Sequence, residues 1–334
     1  MPWERDVNMT PQLVRAESQP SPRARASILS KVPGVLYAFI FFIAVFGVRA
    51  RGFLSLANLV NVSLQGSILA IVSLGMTLVI MTGGIDLSIG SVLSLAGAVT
   101  GLLLHGGSPV PLAILAGLLT GMVCGAINGF LISRLNFFPF ISTFGMMGIA
   151  QGIALVLTDG ASLPGFSPAF RAIGDSVVIG IPLPVWIAGA VFGVIYFFLY
   201  KTTFGARVYA VGGSKQVARL SGIPVSRVLL SVYTISGFLA GLGGVVLISR
   251  MNSANPTVGA GYEFDAIAAV VIGGTPFSGG RGGIGGSILG AAVISVLKNG
   301  LNLMGLSAPW QLTVIGLMIT AAIVVDVMIY NRKS

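Results

Sequence analysis

The chain has 334 residues, of which 55% are hydrophobic and only 8% are charged. Soluble domains carry about 25% charged residues, so this composition excludes a soluble enzyme or a soluble binding domain. The net charge of +10 comes from basic residues that are scattered among polar segments, which favours a topological bias and predicts no nucleic acid partner. Together these values predict an all-α polytopic membrane protein.

Residues 1–32 contain several arginines and prolines but no apolar stretch like that of a signal peptide, so they predict a disordered cytoplasmic tail. Window hydropathy over residues 33–330 predicts one transmembrane domain of about ten helices. The predicted spans are ~33–50, ~58–82, ~86–104, ~111–133, ~137–157, ~184–200, ~228–249, ~263–275, ~284–300 and ~310–329. The eighth is short and ends in glycines, which leaves open a broken or re-entrant segment. Most Lys and Arg residues then fall in inside segments, which predicts that both termini are cytoplasmic.

A polar segment, residues 82–90, separates the second and third apolar runs and contains Gly83, Gly84, Asp86 and Ser88. An unpaired acid is costly at membrane depth, and non-helical backbone is tolerated there only against protein or a water-filled cavity. One interpretation is a polar turn beside a translocation path. Another is that Asp86 and Ser88 cap the third span, which is compatible with the first. A third hypothesis is an ion-coupled secondary transporter with Asp86 as the coupling acid.

The longest inside loop, residues 201–227, contains a predicted helix of two turns. Ser214 is suited to the N-cap position, and Gly222 is suited to the end of the helix. Val217 and Leu220 share one face of this helix. Because so short a helix is not stable alone in water, it either packs on its own protein or docks into a cytoplasmic partner.

Further polar residues lie in or beside the predicted spans. Glu263 and Asp265 begin the eighth span on the predicted outer side, where they form either a gate or docking surface, or a solvated or N-terminal acidic turn. Other polar side chains either line a path or bridge helices, and these are Asn61, Gln65, Thr77, Ser88, Asn128 and Asn299.

The sequence gives no support to an enzyme. The segment 280–285 fits G-x-G-x-x-G, but it joins two predicted membrane helices, whereas a dinucleotide fingerprint follows a strand. No G-x-x-x-x-G-K-[ST] motif occurs, so the chain has no ATP-binding motif of its own. A single histidine, His105, and a single cysteine, Cys124, cannot form a His/Cys metal cluster. No cofactor and no metal are therefore predicted.

Several blocks of the chain resemble ribose-type sugar permeases of bacterial ABC importers. In the inside loop the family pattern is roughly A-x-G-x-N-x-x-A-A-R-L-S-G-I, with Ser214 here in place of the commoner Asn and Val217 in place of Ala. The matching residues are Ala210, Gly212, Ala218, Arg219, Leu220, Ser221, Gly222 and Ile223. Residues 75–77, 82–91, 261–275, 279–282 and 299–302 resemble further family blocks, in the family's order.

The resemblance implies a permease subunit in the bacterial inner membrane, surrounded by membrane lipid. It implies a monosaccharide cargo, a separate cytoplasmic ABC ATPase, a periplasmic sugar-binding protein and a second copy of the chain. The residues then expected to couple transport to the ATPase are Gly212, Ser214, Val217, Ala218, Arg219, Leu220, Ser221 and Gly222. Those expected at the translocation path or its gate are Thr77, Gly83, Gly84, Asp86, Ser88, Glu263, Asp265 and Asn299.

Overall fold

A computed structural model describes residues 33–331, so the predicted tail 1–32 lies outside the described residues. The helices are α1 (Pro33–Arg49), α2 (Leu56–Met81), α3 (Ile89–His105), α4 (Val110–Arg134), α5 (Pro139–Leu157), α6 (Pro168–Asp175), α7 (Leu183–Lys201), α8 (Thr203–Gly213), α9 (Lys215–Leu220), α10 (Val225–Met251), α11 (Tyr262–Ile272), α12 (Ile284–Leu303) and α13 (Ala308–Asn331). The strands are β1 (Leu163–Pro164), β2 (Val177–Val178), β3 (Ile181–Pro182) and β4 (Ser253–Ala254). β1 pairs antiparallel with β4, and β2 with β3.

A helix lies at each of the ten predicted positions, and these helices differ in length and hydropathy. Within residues 33–331, six are long and apolar enough: α2, α4, α5, α7, α10 and α12. α11 has 11 residues and is about 16 Å long, roughly half of the hydrocarbon thickness. The prediction of an all-α multi-pass protein is therefore confirmed, whereas ten complete spans are not observed.

The centre of the molecule is formed by α2 and α10. In their apolar windows 83% and 72% of the residues are buried, against 28% in α4 and in α5 and 22% in α7. The poorly buried helices expose large apolar side chains such as Phe130, Phe144 and Phe197. α4, α5 and α7 therefore present lipid-facing surfaces around a central α2–α10 pair.

Glycines allow α4 to lie directly against α10. Gly121 and Gly125 face Gly237 and Gly241 so closely that a Cβ on Gly121 would overlap the Gly237 carbonyl oxygen. Small residues at this four-residue spacing let two backbones approach, and dispersion between them then stabilises the pair. This contact holds one lipid-facing helix to the centre of the fold.

Gly121→Ala is expected to destabilise the protein by about 1–3 kcal/mol, because an added methyl group forces α4 away from α10. The matched control is Gly148→Ala on α5, where a Cβ would have no described atom within 4 Å. Alanine favours a helix over glycine, so the control should be neutral or slightly stabilising. Thermal unfolding of the two variants in detergent checks this, and equal shifts in Tm would contradict the close contact.

The inside loop contains two helices where one was predicted. The predicted N-cap is confirmed, since the Ser214 hydroxyl accepts a hydrogen bond from the Val217 amide at 3.2 Å. Gly222 follows the end of α9 with φ of +78°, a left-handed conformation that favours glycine. α8 was missed, although Thr202 marks its start by accepting from the Phe204 amide.

Candidate functional site

Asp86 lies buried in the non-helical turn between α2 and α3, with 1% of its surface exposed. Its Oδ1 accepts from the Ser88 amide at 3.0 Å and from the Ser88 hydroxyl at 2.6 Å. Its Oδ2 accepts from the Ser236 hydroxyl at 3.1 Å, near the middle of α10. The carboxylate thus fixes the shape of the turn and attaches it to the central helix.

The hydrogen-bond network around Asp86 extends to two more helices. The Asn128 side-chain amide on α4 donates to the Ser88 hydroxyl at 3.0 Å, and the Ser142 hydroxyl on α5 donates to the Asn128 side-chain oxygen at 3.2 Å. Ser88 is the N-cap residue of α3, but its side chain makes no capping hydrogen bond. The prediction of a Ser88 side-chain cap is wrong, because that hydroxyl is engaged by Asp86.

Two helices, α3 and α11, begin next to each other in the interior. A Cβ on Gly90, in the first turn of α3, would overlap both the Gly259 carbonyl oxygen and the Glu263 carboxylate. The Ser94 hydroxyl of α3 accepts a hydrogen bond from the Gly259 amide at 2.8 Å. The positive ends of the two helix dipoles therefore meet inside the protein, where carboxylates stabilise them. A carboxylate lies at the start of each helix, because Asp86 precedes α3 and Glu263 is in the first turn of α11.

The acids of α11 are buried, with 7% of Glu263 and 3% of Asp265 exposed. The predicted N-terminal acidic turn is confirmed, since both lie in the first turn of the helix. A solvated turn is wrong for these residues because both are buried, whereas a role in a gate or a docking surface stays a prediction. α11 begins inside the protein, and hydropathy alone does not reveal the depth at which a helix starts.

Lys298 on α12 forms an ion pair with Asp265, with Nζ 2.5 Å from Oδ2. About a third of the lysine side chain is exposed, and its ammonium group lies 6.0 Å from the centre of the Tyr262 ring. Sequence reasoning missed this partner. The available signal was a lysine inside an apolar helix, which is costly unless the charge is paired or hydrated.

The ion pair predicts an asymmetric response to mutation. Lys298→Met leaves a buried carboxylate without its partner, and we expect a loss of about 3 kcal/mol in the free energy of unfolding. Asp265→Asn leaves a lysine that can reach solvent, so the loss should be well below that. A double-mutant cycle read by thermal unfolding checks this, and equal losses for the two single variants would contradict it.

Other predicted path residues make contacts between helices. The Thr77 hydroxyl on α2 is hydrogen-bonded to the Ser287 hydroxyl on α12 at 2.7 Å. The side-chain amides of Asn58 and Asn299 donate to each other's carbonyl oxygens at 2.9 Å, which again joins α2 to α12. In this conformation these side chains bridge helices, and a role in the path stays a prediction.

Three glycine-containing backbone segments meet where α8 contacts the end of α2 and the α11–α12 connection. The Gly280 amide donates to the Met81 carbonyl at 2.9 Å. Gly212 of α8 lies so close to Met81 and Gly280 that a Cβ would overlap both, and a Cβ on Gly279 would press on the backbone of Gly83. This contact, termed here the glycine junction, connects the inside loop directly to the turn that carries Asp86.

α9 presents an apolar surface to the outside of the fold. Val217 is 60% exposed and Leu220 is 82% exposed, whereas Ala218 between them is buried. Burial and the neighbouring Arg219 guanidinium lower the pKa of Lys215. The last two predicted coupling residues, Ser221 and Gly222, follow the end of the helix. The geometry is that of a short, capped helix with two apolar side chains available to a partner.

Comparison with known proteins identifies the family. The family described as branched-chain amino acid transport system / permease component matches residues 58–323. The chain is 43% identical over 302 residues to the ribose import permease protein RbsC of Bacillus subtilis strain 168, covering 90% of this chain and 93% of RbsC. The chain belongs to the permease family of bacterial ABC importers.

Within this family the permease is also similar to transporters that are named for other sugars. It is 39% identical over 298 residues to the D-allose transport system permease protein AlsC of Escherichia coli strain K12, covering 89% of this chain and 91% of AlsC. It is 33% identical over 301 residues to the L-arabinose transport system permease protein AraH of the same strain, covering 90% and 91%. No solved structure matches it significantly. The permease is thus a multi-pass inner-membrane protein of a sugar importer family.

Proposed function

We propose that this permease carries a monosaccharide, either a pentose, a hexose or a similar polyol, inward across the bacterial inner membrane. A periplasmic binding protein delivers the sugar, and a separate cytoplasmic ATPase supplies the energy. The relatives described above support a sugar cargo, because they cover about nine tenths of the chain and are named for ribose, allose and arabinose. Both termini and the loop 201–227 are then cytoplasmic.

The observation that carries this proposal is the position of α9. Its exposed Val217 and Leu220 offer an apolar surface to the ATPase. The rest of the loop leads through α8 to the glycine junction and from there to the Asp86 turn. Because segments whose backbones are in direct contact cannot shift independently, a displacement of α9 is transmitted to the start of α3 and to α10. A floppy loop would absorb the same displacement.

A second copy of the chain completes the path in this proposal. Lys298 is a third exposed at the side of α12, and a charge that faces lipid costs about 2.5–3.5 kcal/mol. Arg250 on α10 is likewise only partly buried, and its Nη2 donates to the side-chain oxygen of Asn61 at 2.5 Å. These charges favour a polar cavity beside α10 and α12 that a homodimer encloses. Half-helices whose N-termini meet inside the protein are a common feature of transporter binding sites.

The ion-coupled alternative has no support from the comparisons. Both carboxylate oxygens of Asp86 accept hydrogen bonds, from Ser88 and from Ser236. This arrangement suits a structural acceptor better than a site that takes up and releases a proton or a sodium ion.

Reconstitution tests the proposal. The permease is placed in proteoliposomes alone, with its ATPase, and with both the ATPase and the binding protein. We expect uptake of labelled ribose or a related monosaccharide only in the complete system with ATP. Uptake by the permease alone under a proton or sodium gradient would overturn it in favour of ion coupling, and downhill flux through the permease alone would indicate a channel.

A further inference from the structure

A cleft of about 570 Å³ opens where α9, α10 and the end of α4 meet. Three arginines line it, namely Arg134 from α4, Arg219 from α9 and Arg227 from α10. No acidic residue is among its lining residues. Both ion pairs found within residues 33–331 lie elsewhere, so the three guanidinium groups form a concentrated positive charge without a carboxylate partner in the described part of the chain.

The cleft lies at the ends of two membrane spans. Arg134 is the last residue of α4, and Arg227 is in the first turn of α10. A Cβ on Gly129 would press on the Leu230 backbone, so these two helix ends are held together. Basic residues that flank a span place their charges at the depth of the lipid headgroups.

Exposed apolar side chains lie in the α4–α5 connection, within four residues of Arg134 in the chain. Leu135, Phe137 and Phe138 are 52%, 46% and 75% exposed. Such side chains next to an arginine cluster suit the boundary between headgroups and acyl chains.

The cleft and the surface of α9 that is proposed for the ATPase lie on different sides of that helix. At 100° per residue, Arg219 lies about 100° from Leu220 and about 200° from Val217 around the helix. Neither Val217 nor Leu220 lines the cleft. The arginine cluster and the apolar docking surface are therefore separate features of the inside loop.

We propose that this cleft binds the phosphate headgroup of an anionic glycerophospholipid from the adjoining leaflet. Guanidinium groups bind phosphate oxygens through paired, charge-assisted hydrogen bonds, and three of them match a phosphodiester better than a zwitterionic headgroup. The positive end of the α10 dipole adds to this attraction. The bound lipid would join the end of α4 to the α9–α10 connection and so brace the base of the coupling helix.

Lipid titration of the full chain tests this proposal. The purified permease in a neutral detergent is titrated with dioctanoyl phosphatidylglycerol, dioctanoyl phosphatidylcholine or inorganic phosphate, and binding is read by native mass spectrometry. The test variant is Arg134→Gln/Arg219→Gln/Arg227→Gln, together with each single variant. The control, Lys201→Gln/Arg207→Gln/Lys215→Gln, removes the same charge from the same inside loop and the adjoining end of α7.

We expect phosphatidylglycerol to bind more tightly than phosphatidylcholine. Each arginine removed from the cleft should weaken that binding about fivefold, and removal of all three should weaken it on the order of 100-fold. The control variant should bind as the unchanged protein does. Because the three arginines are exposed, the single variants keep the test meaningful even if the triple variant expresses poorly.

Three results would overturn the proposal. One is an equal loss of binding in the control variant, which would indicate non-specific attraction to a basic face. Another is inorganic phosphate binding as tightly as the lipid, which would indicate a free-anion site. The third is a triple variant that binds phosphatidylglycerol normally but no longer co-purifies with its ATPase, which would assign the cleft to an acidic protein segment.

Discussion

Leu220→Asp is expected to abolish ATP-driven sugar uptake while leaving the permease folded. Leu220 is 82% exposed at the end of α9, so its replacement costs the isolated protein no more than about 0.5 kcal/mol. In the complex, an aspartate would place an unpaired charge in an apolar contact, where anchor residues contribute about 2–4 kcal/mol. The affinity for the ATPase should then fall by at least about 30-fold.

The control for this variant is Leu220→Met, which keeps the apolar character and most of the volume of the side chain. It should retain uptake and co-purification with the ATPase. Three measurements separate the outcomes: the amount of permease in the membrane, the ATPase that co-purifies with it, and the uptake per ATP hydrolysed. Full uptake in the Leu220→Asp variant would show that this face of α9 does not contact the motor.

Asp86→Ala is expected to destabilise the permease severely, because it removes the acceptor for three hydrogen bonds at once. The donors are the Ser88 amide, the Ser88 hydroxyl and the Ser236 hydroxyl, all of them buried. Each hydrogen bond to a charged acceptor contributes about 1.5–3 kcal/mol. The total is a large share of the ~5–15 kcal/mol by which a typical domain is stable. We expect little folded protein in the membrane and a strongly lowered Tm in detergent.

Asp86→Asn distinguishes a structural acid from an ion carrier. The asparagine carbonyl can accept both hydrogen bonds from Ser88, and its amide can donate to Ser236, whose hydroxyl can also accept. This variant should therefore fold and keep most of its ATP-driven uptake. A variant that folded with a normal Tm and bound its ATPase, yet transported nothing, would show that transport requires the carboxylate charge itself. That result would favour the ion-coupled mechanism.

The two variants affect opposite ends of one structural connection. Leu220 lies where the motor is proposed to bind, and Asp86 lies where the turn meets α10. Between them the glycine junction brings Gly212, Met81 and Gly280 into backbone contact. A defect at the first end should leave a stable permease that is not driven, whereas a defect at the second should leave too little permease to be driven.

The sequence by itself determined the class of the protein and the positions of its long apolar helices. Such a helix must satisfy its backbone hydrogen bonds within the membrane, so hydropathy predicts where it lies, whereas the shorter α6 and α8 were not predicted. The Ser214 N-cap was equally predictable, because a cap depends on residues only three positions apart. The blocks that resemble sugar permeases were sufficient to predict the family.

Only the tertiary structure decided which of these helices begin inside the protein and what their polar residues contact. The contacts of Asp86 with Ser236 and of Asp265 with Lys298 join residues that are far apart in the chain. A single sequence specifies such pairs through the packing of whole helices, and no local spacing encodes them. For the same reason Asp86 was recognisable as an unusual buried acid, while its role as the acceptor that ties a turn to the centre of α10 was not.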